Sequence, residues 1–388
     1  MKIVILVRIL WTAGAPKKAI REAIELQSMG HHARVVFLRA SSRISGYEDL
    51  LSEVDWSLMA NQNNSWLVPV YDWLTSLFAP DRKGDGRLDV NLLRKFPRFV
   101  EAFQPDLIVC HDQYAGLAGY YAWRRSGTPY VVLLHERVDW RKRGPLEAII
   151  DIVERRTLLH STRILASTEK IAETARKKHG LGVEANYQGF DLSKFTSYGE
   201  KTNSLLAVST WDRGRQPERY LDAVSELPVY TLRMVGNWRS EAELRRFESE
   251  VIQRGLTERV QILRGLAEAR LNALYDSSKF VIRFGFGEYG ESHAVFEGLQ
   301  RGTPVIINAD LGTAEIVRRF HIGGVVDPSI PAEVAAFVRR TDSVVEYEHF
   351  QANIRKAAAL FTWRMHAERI LGRESESVEG MQPSPRSP

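Results

Sequence analysis

Cysteine is almost absent from this chain of 388 residues, because Cys110 is its only one. A single cysteine excludes an internal disulfide framework and is typical of a protein in a reducing compartment. Long apolar runs are also missing, since no stretch reaches the roughly 18 residues that span a bilayer. The apolar start at residues 1–10 is interrupted by Arg8 and is followed by no small-residue cleavage site, so it favours a buried strand over a signal peptide. These absences predict a cytoplasmic protein.

A strong excess of one charge is lacking as well, since the net charge is +5 and 26% of the residues are charged. This mildly basic balance permits an anionic substrate or a membrane surface and selects neither. The sequence has no nucleic-acid-binding signature and no basic stripe interleaved with aromatic residues, so nucleic acid is not expected as a partner. It also has no clear cluster of metal ligands, so we expect no metal site.

The pattern that is present is an alternation of apolar strands and amphipathic helices. It begins with a strand at 2–10, a helix at 17–29 and a strand at 33–38. Such a βαβ unit indicates a parallel, doubly wound sheet. The dinucleotide fingerprint G-x-G-x-x-G is missing from the first turn.

The alternation restarts after a segment of small and polar residues at 196–203. Helical spacing continues to the end of the second half and predicts a terminal helix at 350–370. The last residues are rich in serine, proline and glutamate and have almost nothing to bury. We therefore predict an α/β fold with domains at 1–197 and 198–372 and a disordered tail at 374–388.

Residues 41–100 are less regular and include an aromatic, partly amphipathic stretch at 64–78. Such a stretch either packs in a core or contacts a membrane interface or an apolar acceptor. A basic segment at 140–143, Trp-Arg-Lys-Arg, would suit a membrane surface that carries a lipid-linked sugar. The sequence therefore leaves open a peripheral contact with the inner face of a membrane, and it leaves the oligomeric state undetermined.

Two consecutive predicted strands each end in a histidine followed by a carboxylate. These pairs are His111-Asp112 and His135-Glu136. Ligands of open α/β sheets bind at the carboxyl ends of the strands, which makes the four side chains candidates for a ligand site. The alternative is that the histidines are structural.

A glycine-rich loop followed by a short helix occupies residues 284–300. Its glycines let backbone approach a ligand closely, and the start of the helix favours an anionic group such as a diphosphate. A carboxylate here can accept two hydrogen bonds from a vicinal diol. The alternative is a solvated helix start whose acidic residues complement the helix dipole. The glycines are Gly285, Gly287 and Gly290, and the acidic residues are Glu288, Glu291 and Glu297.

Four segments, in this order and spacing, make residues 1–372 resemble a family 4 (group 1) retaining glycosyltransferase. Residues 186–195 are similar to the family's "N-G-v-D-x-x-x-F", and 297–306 to its "E-A-x-A-x-G-x-P-V-v". Residues 312–315 are similar to "G-G-x-x-E", and 361–363 to "F-s-W". The resemblance implies a GT-B fold, in which two Rossmann-like domains face a cleft and the last helix crosses back to the first domain.

The resemblance assigns the donor-binding glutamates of the loop. Glu297 matches the second glutamate of the family's E-x7-E motif, which binds the nucleotide ribose. The position of the first glutamate is held by Tyr289. Either Glu288 or Glu291 would then contact the donor sugar, and we expect Glu288 because a glycine-rich loop absorbs a one-residue shift. The remaining members implied for this site are Gly290, Ser292, His293 and Ala294.

The resemblance also assigns the diphosphate contacts after the first strand of the second domain. Thr210 falls on the family's phosphate-binding arginine and Arg215 on its lysine, while Arg213 would supply a second charge. Two guanidinium groups beside a glycine suit bidentate phosphate contact. The alternative is a solvated basic loop.

In the first domain, Gly14 matches the family's glycine that abuts the donor phosphates and the acceptor. His111 matches a histidine that contacts the donor sugar, and Asp112 would orient it or bind a hydroxyl. His135 and Glu136 match a further pair on the acceptor side. The resemblance thus implies His111, Glu288 and Arg215 as catalytic residues.

The implied reaction is the transfer of a hexose, with retention, from a nucleotide-diphosphate sugar to a glycan, a lipid-linked or a small-molecule acceptor. The donor would be a UDP- or GDP-sugar, and no cofactor is implied. One alternative is a catalytically silent GT-B protein that binds a sugar or a partner, because the E-x7-E spacing is broken. The other is a different GT-B enzyme, such as a sugar-phosphate-forming synthase or a nucleotide-sugar epimerase.

Overall fold

The structure is a computed structural model that describes residues 1–10, 14–40, 48–59, 90–138 and 145–373. The chain divides into two compact units. The first is Met1–Gln188 together with the segment that starts at Trp363, and the second is Gly189–Thr362. The predicted boundary after residue 197 lies a few residues beyond Gln188. The stretches at 64–78 and 140–143 and the tail at 374–388 lie outside the described residues.

The first unit is a parallel sheet with the strand order β3-β2-β1-β4-β5-β6-β7. Its strands are β1 Lys2–Leu10, β2 His32–Ala40, β3 Asp55–Leu58, β4 Leu107–His111, β5 Tyr130–Leu134, β6 Arg163–Ala166 and β7 Glu184–Ala185. Its helices are α1 Gly14–Ser28, α2 Glu48–Ser52, α3 Val90–Phe103, α4 Gln113–Ser126, α5 Pro145–Leu159 and α6 Glu169–His179. Helix α14, Trp363–Ile370, completes this unit.

The second unit repeats this topology with the order β10-β9-β8-β11-β12-β13. Its strands are β8 Thr202–Val208, β9 Thr231–Val235, β10 Val260–Leu263, β11 Ser278–Arg283, β12 Val305–Ile307 and β13 Gly323–Val325. Its helices are α7 Glu218–Ser225, α8 Glu241–Gln253, α9 Glu268–Ser277, α10 His293–Gln300, α11 Ala314–Phe320, α12 Pro331–Thr341 and α13 Val344–Ala358.

Both sheets confirm the prediction of doubly wound parallel sheets. Strand β1 pairs with β2 and β4, and Ile3 to Leu6 have no exposed surface. Continuous apolar strands of this kind are those that helices cover on both faces. In each sheet the strand order reverses at one point, between β1 and β4 in the first and between β8 and β11 in the second. Ligands of such folds bind beside the carboxyl ends of the strands at this switch point.

The prediction of one helix at 350–370 is wrong. Helix α13 ends at Ala358 and α14 begins at Trp363. The carbonyl group of Phe361 accepts a hydrogen bond from the backbone N–H of Phe190 at 2.9 Å, a partner outside any helix. Apolar periodicity continues across this interruption, so the sequence pattern does not reveal it.

Three elements that begin within residues 41–100, which are α2, β3 and α3, were missed by the sequence prediction. Strand β3 lies at the sheet edge, is only partly buried and shows no clean alternation. Helix α3 contains Pro97, a residue that usually argues against a helix interior. Among the described residues, no helix has both the length and the apolarity to cross a membrane.

Candidate active site

The switch point of the second unit brings together two segments that the sequence separates widely. The loop after β8 contains the short 3-10 helix Arg213–Arg215, and the loop after β11 is the glycine-rich one. Nη1 of Arg215 donates a hydrogen bond to Oε2 of Glu288. The predicted phosphate-binding arginine and the predicted sugar-binding glutamate therefore meet at one place.

A second arginine, which the sequence prediction did not include, also binds Glu288. Nη2 of Arg283, the last residue of β11, lies 2.6 Å from Oε2 of Glu288. Arg283 is only 4% exposed, whereas Glu288 is half-buried. Burial raises the pKa of Glu288 even though the Arg215 guanidinium favours its ionised form. Two guanidinium groups thus converge on one carboxylate oxygen, and positive charge is concentrated at this switch point.

Local contacts fix the turn that carries Arg215. Oδ1 of Asp212 accepts a hydrogen bond from the backbone N–H of Arg215 at 3.1 Å. Trp211 is buried, and its indole N–H donates to the Val235 carbonyl at 3.1 Å. Arg215 is half-buried as a result, while Arg213 and Thr210 are exposed on the same turn.

The glycine-rich loop is tied to the segment after β12. The side chain of Asn308 accepts from the Gly285 N–H at 2.9 Å and donates to the Gly285 carbonyl at 2.6 Å. Oδ2 of Asp310 accepts from the Gly287 N–H at 3.0 Å. A Cβ at Gly285 would lie 2.5 Å from the Leu311 side chain, so a larger residue at this position would have to displace Leu311. Asn308 is a positioning residue, and only its place after a strand could have suggested it.

The loop leads into α10, and five of the predicted donor-binding residues lie at 290–294, around the start of this helix. Ser292 occupies the N-cap position and is buried, as is Ala294. Gly290, Glu291 and His293 are half-buried. The backbone N–H groups of this first turn point out of the helix and suit an anionic ligand.

Glu297 is held from a neighbouring helix. The hydroxyl of Tyr275, in α9, donates to Oε2 of Glu297 at 2.9 Å. Tyr275 is fully buried, and burial together with the Glu297 carboxylate raises the pKa of its phenol well above the ordinary value. The carboxylate therefore keeps one orientation and remains half-buried on α10.

In the first unit, Asp112 follows β4 and begins α4. Its φ of 87° is unusual for a residue with a side chain. Oδ1 accepts from the backbone N–H groups of Tyr114 and Ala115 at 2.8 and 2.7 Å. Oδ2 lies 3.4 Å from Nε of Arg8. Asp112 is thus a helix cap, and burial raises its pKa.

His111 is buried, and its two ring nitrogens contact other side chains. Nε2 lies 2.6 Å from Oε2 of Glu22, in α1, and Nδ1 lies 3.0 Å from Nε2 of His135. The two imidazole rings stack with their centroids 5.0 Å apart. His135 is half-buried and Glu136 exposed. The predicted contact of His111 with the donor sugar stays a prediction.

Glu22 also contacts a histidine of the last helix. Its Oε1 lies 2.7 Å from Nε2 of His366, in α14. Neither Glu22 nor His366 was predicted as a site residue, because each stands in an amphipathic helix and is not itself part of a family motif. Gly14, the remaining predicted residue of this unit, is the first residue of α1 and is half-buried.

A surface groove of about 660 Å³ lies elsewhere in the first unit, among α3, α4 and α5. Leu117, Tyr120, Arg124 and Ile152 are among its lining residues. None of its lining residues is at a strand end or among the predicted site residues. Among the described residues, no group of three or more histidine, cysteine or carboxylate side chains could hold a metal ion.

Two protein-family models together match nearly the whole described chain. The model of the glycosyl transferase 4-like domain matches residues 14–186. The model of glycosyl transferases group 1 matches residues 191–361. No curated protein sequence matches the chain.

Solved structures with the same architecture include several sugar-handling proteins. HepE of Anabaena, in complex with UDP and glucose, has a TM-score of 0.74 and 18% identity over 96% of this chain and 98% of that one. Sucrose-phosphate synthase from Thermosynechococcus elongatus has a TM-score of 0.75 and 16% identity over the same shares. The lipopolysaccharide outer core galactosyltransferase WaaB has a TM-score of 0.68 and 13% identity over 96% and 99%. At these identities the likeness shows a shared fold.

Proposed function

The chain belongs to the group 1 glycosyltransferases of GT-B fold, and on that premise we propose that it transfers a hexose from a nucleotide-diphosphate sugar with retention of configuration. The observation that carries this proposal is the convergence of Arg215, Glu288 and the start of α10 at one switch point. HepE binds UDP and glucose in a fold like this one, which supports a UDP-sugar as the donor.

The donor diphosphate would lie against Arg215 and Arg213, with the backbone N–H groups at the start of α10 as further donors. Negative charge develops on the diphosphate as its bond to the sugar breaks, and fixed donors aimed at that charge stabilise the transition state. Glu297, held by Tyr275, would accept hydrogen bonds from the ribose diol. Glu288 would accept a hydrogen bond from a hydroxyl of the donor sugar.

The proposed transfer needs no covalent intermediate on the protein. The bond between the anomeric carbon and the phosphate oxygen breaks, and the acceptor oxygen forms its bond to the same face of that carbon. The proton of the acceptor hydroxyl passes to the departing phosphate oxygen, so atoms and charge balance. The protein's part is then to hold the reactants and stabilise charge.

The test is a screen of UDP-, GDP- and ADP-sugars for nucleotide release, followed by NMR analysis of the anomeric configuration of the product. We expect release from a UDP- or GDP-sugar and a product with the configuration of the donor. An inverted product would contradict the retaining mechanism. Failure of calorimetry to detect binding of any nucleotide would contradict the donor site itself.

One observation favours a second candidate, a GT-B protein that binds a sugar or partner without catalysis. Tyr289 stands where the family has its first glutamate, and Glu288 is engaged by Arg215 and Arg283. Binding of a nucleotide-sugar with neither transfer nor hydrolysis would support that candidate, whereas slow hydrolysis of the donor supports an enzyme.

We propose that the acceptor is a glycan, a lipid-linked sugar or a small molecule. We also propose that the protein is cytoplasmic and makes peripheral contact with the inner face of the membrane. The mildly basic net charge of +5 supports attraction to an anionic surface. Flotation with liposomes that contain anionic lipid tests this contact. Absence of the protein from the floating fraction would contradict it.

A further inference from the structure

Four side chains form one continuous chain of hydrogen bonds in the first unit. It runs from His366 in α14 to Glu22 in α1, to His111 at the end of β4, and to His135 directly after β5. The successive distances between the bonded atoms are 2.7, 2.6 and 3.0 Å. Glu22 has no exposed surface, and His111 and His366 are 1% and 2% exposed. Only His135, at the end of the chain, is half-buried.

A carboxylate at this depth is costly unless its partners compensate for the lost water. The core residues on the same helix include Ala19, Ala23 and Leu26, which are fully buried. The side chains of these three neighbours offer the carboxylate no hydrogen bond. Both of its oxygens are instead bound by imidazoles from two other elements.

The acceptor atoms in this chain of hydrogen bonds determine which ring nitrogens of the histidines carry protons. The two imidazoles lower the pKa of Glu22, against the effect of burial, so its carboxylate is ionised and only accepts. Nε2 of His111 and Nε2 of His366 must therefore carry protons. In a neutral His111 ring, Nδ1 then has a lone pair and accepts from Nε2 of His135.

We propose that Glu22 is a positioning residue of the transfer reaction, which sets the tautomers of His111 and His135 at the carboxyl edge of the sheet, and that His366 holds Glu22 in place. The inference rests on the proposed function, because it takes the ends of β4 and β5, where His111 and His135 stand, as the place where the sugar substrate binds. It adds two residues, in α1 and α14, that the family motifs of this sequence do not include.

Helix α14 carries His366, the residue at one end of this chain of hydrogen bonds, and further hydrogen bonds hold that residue in place. Nδ1 of His366 lies 2.9 Å from the Tyr187 carbonyl, so both ring nitrogens of His366 face acceptors, and the ring donates at both only as an imidazolium. Nδ2 of Asn186 donates to the His366 carbonyl at 3.2 Å. The ammonium group of Lys18, another buried residue of α1, acts on His366 with burial to lower its pKa. Glu22 and the Tyr187 carbonyl act in the opposite direction.

The substitution that tests the inference is Glu22→Gln, which keeps the shape and replaces one acceptor oxygen by an N–H donor. A glutamine cannot accept from both imidazoles, so at least one ring must change its tautomer. We expect kcat to fall about 100-fold, the magnitude typical of losing acid–base or orienting groups, with little change in KM for the donor. The pH dependence of kcat should shift as well.

The first unit contains a second buried pair of a histidine and a glutamate, which provides a matched control. Nε2 of His179 lies 2.8 Å from Oε1 of Glu154, and the two residues are 6% and 3% exposed. Glu154→Gln should cost stability but leave kcat and its pH dependence unchanged. An equal loss of kcat in the two variants would assign Glu22 a general structural role and overturn the inference.

A measurement independent of activity uses long-range ¹H–¹⁵N spectra of the imidazoles, which report tautomers directly. We expect His111 protonated at Nε2 in the unaltered protein and a changed tautomer of His111 or His366 in Glu22→Gln. Protonation of His111 at Nδ1 alone would overturn the inference. If the unaltered protein shows these tautomers but transfers no sugar, the proposed function fails and the role of Glu22 in transfer fails with it.

A second variant covers the case in which Glu22→Gln does not fold. His366→Gln retains an N–H donor towards Glu22, whereas His366→Leu removes it. We expect the glutamine variant to keep most of the activity and the leucine variant to reproduce the shifted pH dependence. Equal activity and equal pH dependence in the two variants would contradict the role of His366.

Discussion

Arg215 and Glu297 represent two different kinds of contact in the proposed donor site. Arg215→Ala removes a guanidinium from the diphosphate, and Glu297→Ala removes the acceptor for the ribose diol. Hydrogen bonds to charged groups contribute about 1.5–3 kcal/mol, so each variant should lower kcat/KM by about 10–100-fold. Nucleotide-release kinetics measure this, with circular dichroism to establish folding.

Arg254→Ala is a suitable control for both variants. This arginine pairs with Asp222 and Glu250 on the surface of the second unit, away from the switch point. Its loss should change kcat/KM little. Near-native transfer by purified Arg215→Ala or Glu297→Ala would count against the site.

We expect Glu288 to have opposite effects on the binding of nucleotide and on the transfer of the sugar. Its carboxylate competes with a diphosphate for Arg215, so Glu288→Gln should tighten UDP binding by a few-fold, as expected for removing about 1 kcal/mol of charge competition. The same variant should lower transfer, because Gln accepts fewer hydrogen bonds from the donor sugar. Calorimetry with UDP and kinetics with the donor measure the two effects. Loss of transfer in Glu291→Gln alone would move the sugar contact to Glu291.

The buried carboxylate of Glu22 should make the free energy of unfolding depend on pH, with a sign that follows from its pKa. Its pKa is lowered from 4.5 in the folded protein, so the unfolded chain binds the proton more readily. The stabilisation by this group is therefore complete above about pH 4.5 and is lost as the pH falls further. Urea denaturation should show that the stability difference between the unaltered protein and Glu22→Gln shrinks as the pH falls below about 4.5. A constant difference would contradict this.

At the scale of elements, the ends of β8 and β9 fix the turn that carries Arg215. Gly236 has a φ of +133°, and a Cβ there would lie 1.7 Å from the carbonyl oxygen of Ser209. Gly236→Ala must displace the backbone at the start of the Arg213–Arg215 turn. We expect a loss of more than about 2 kcal/mol in the free energy of unfolding, together with weaker nucleotide binding.

Gly255 provides the comparison for this glycine. It also has a positive φ of +67°, but no atom lies within 4 Å of its added Cβ. Gly255→Ala should therefore cost only the backbone strain, about 1 kcal/mol, and leave nucleotide binding intact. Similar effects of the two variants in thermal denaturation and calorimetry would show that the contact with Ser209 is unimportant.

The elements with strong periodicity were the ones that the sequence predicted well. Strand β1 occupies its predicted range of 2–10, and strand β2 and helix α1 begin and end within three residues of theirs. The break before α14 was not predictable, because it depends on a hydrogen bond between Phe361 and Phe190. Strand β3 was missed because an edge strand needs no alternation when only part of it is buried.

At the scale of the whole molecule, the first compact unit depends on residues from the far end of the chain. Ala367 and Ile370 of α14 are almost fully buried in the same core as Ile3 and Ile5. A chain that ends at Thr362 lacks these side chains and His366. Hydrogen exchange should then become faster in β1 and α1, while β8 and β11 keep their protection. Equal acceleration in both sheets would contradict the division into these two units.

The sequence by itself determined the two doubly wound sheets, the family and the segments that carry the proposed donor site. These follow from apolar periodicity and from short motifs, which are local properties of the chain. Only the tertiary structure decided which side chains form hydrogen bonds with one another. Arg215 and Glu288 are 73 residues apart, and Glu22 and His366 are 344 residues apart. The periodicity of the sequence indicates which face of a helix or strand a side chain occupies. The hydrogen-bond partner of that side chain depends on which elements the fold brings together.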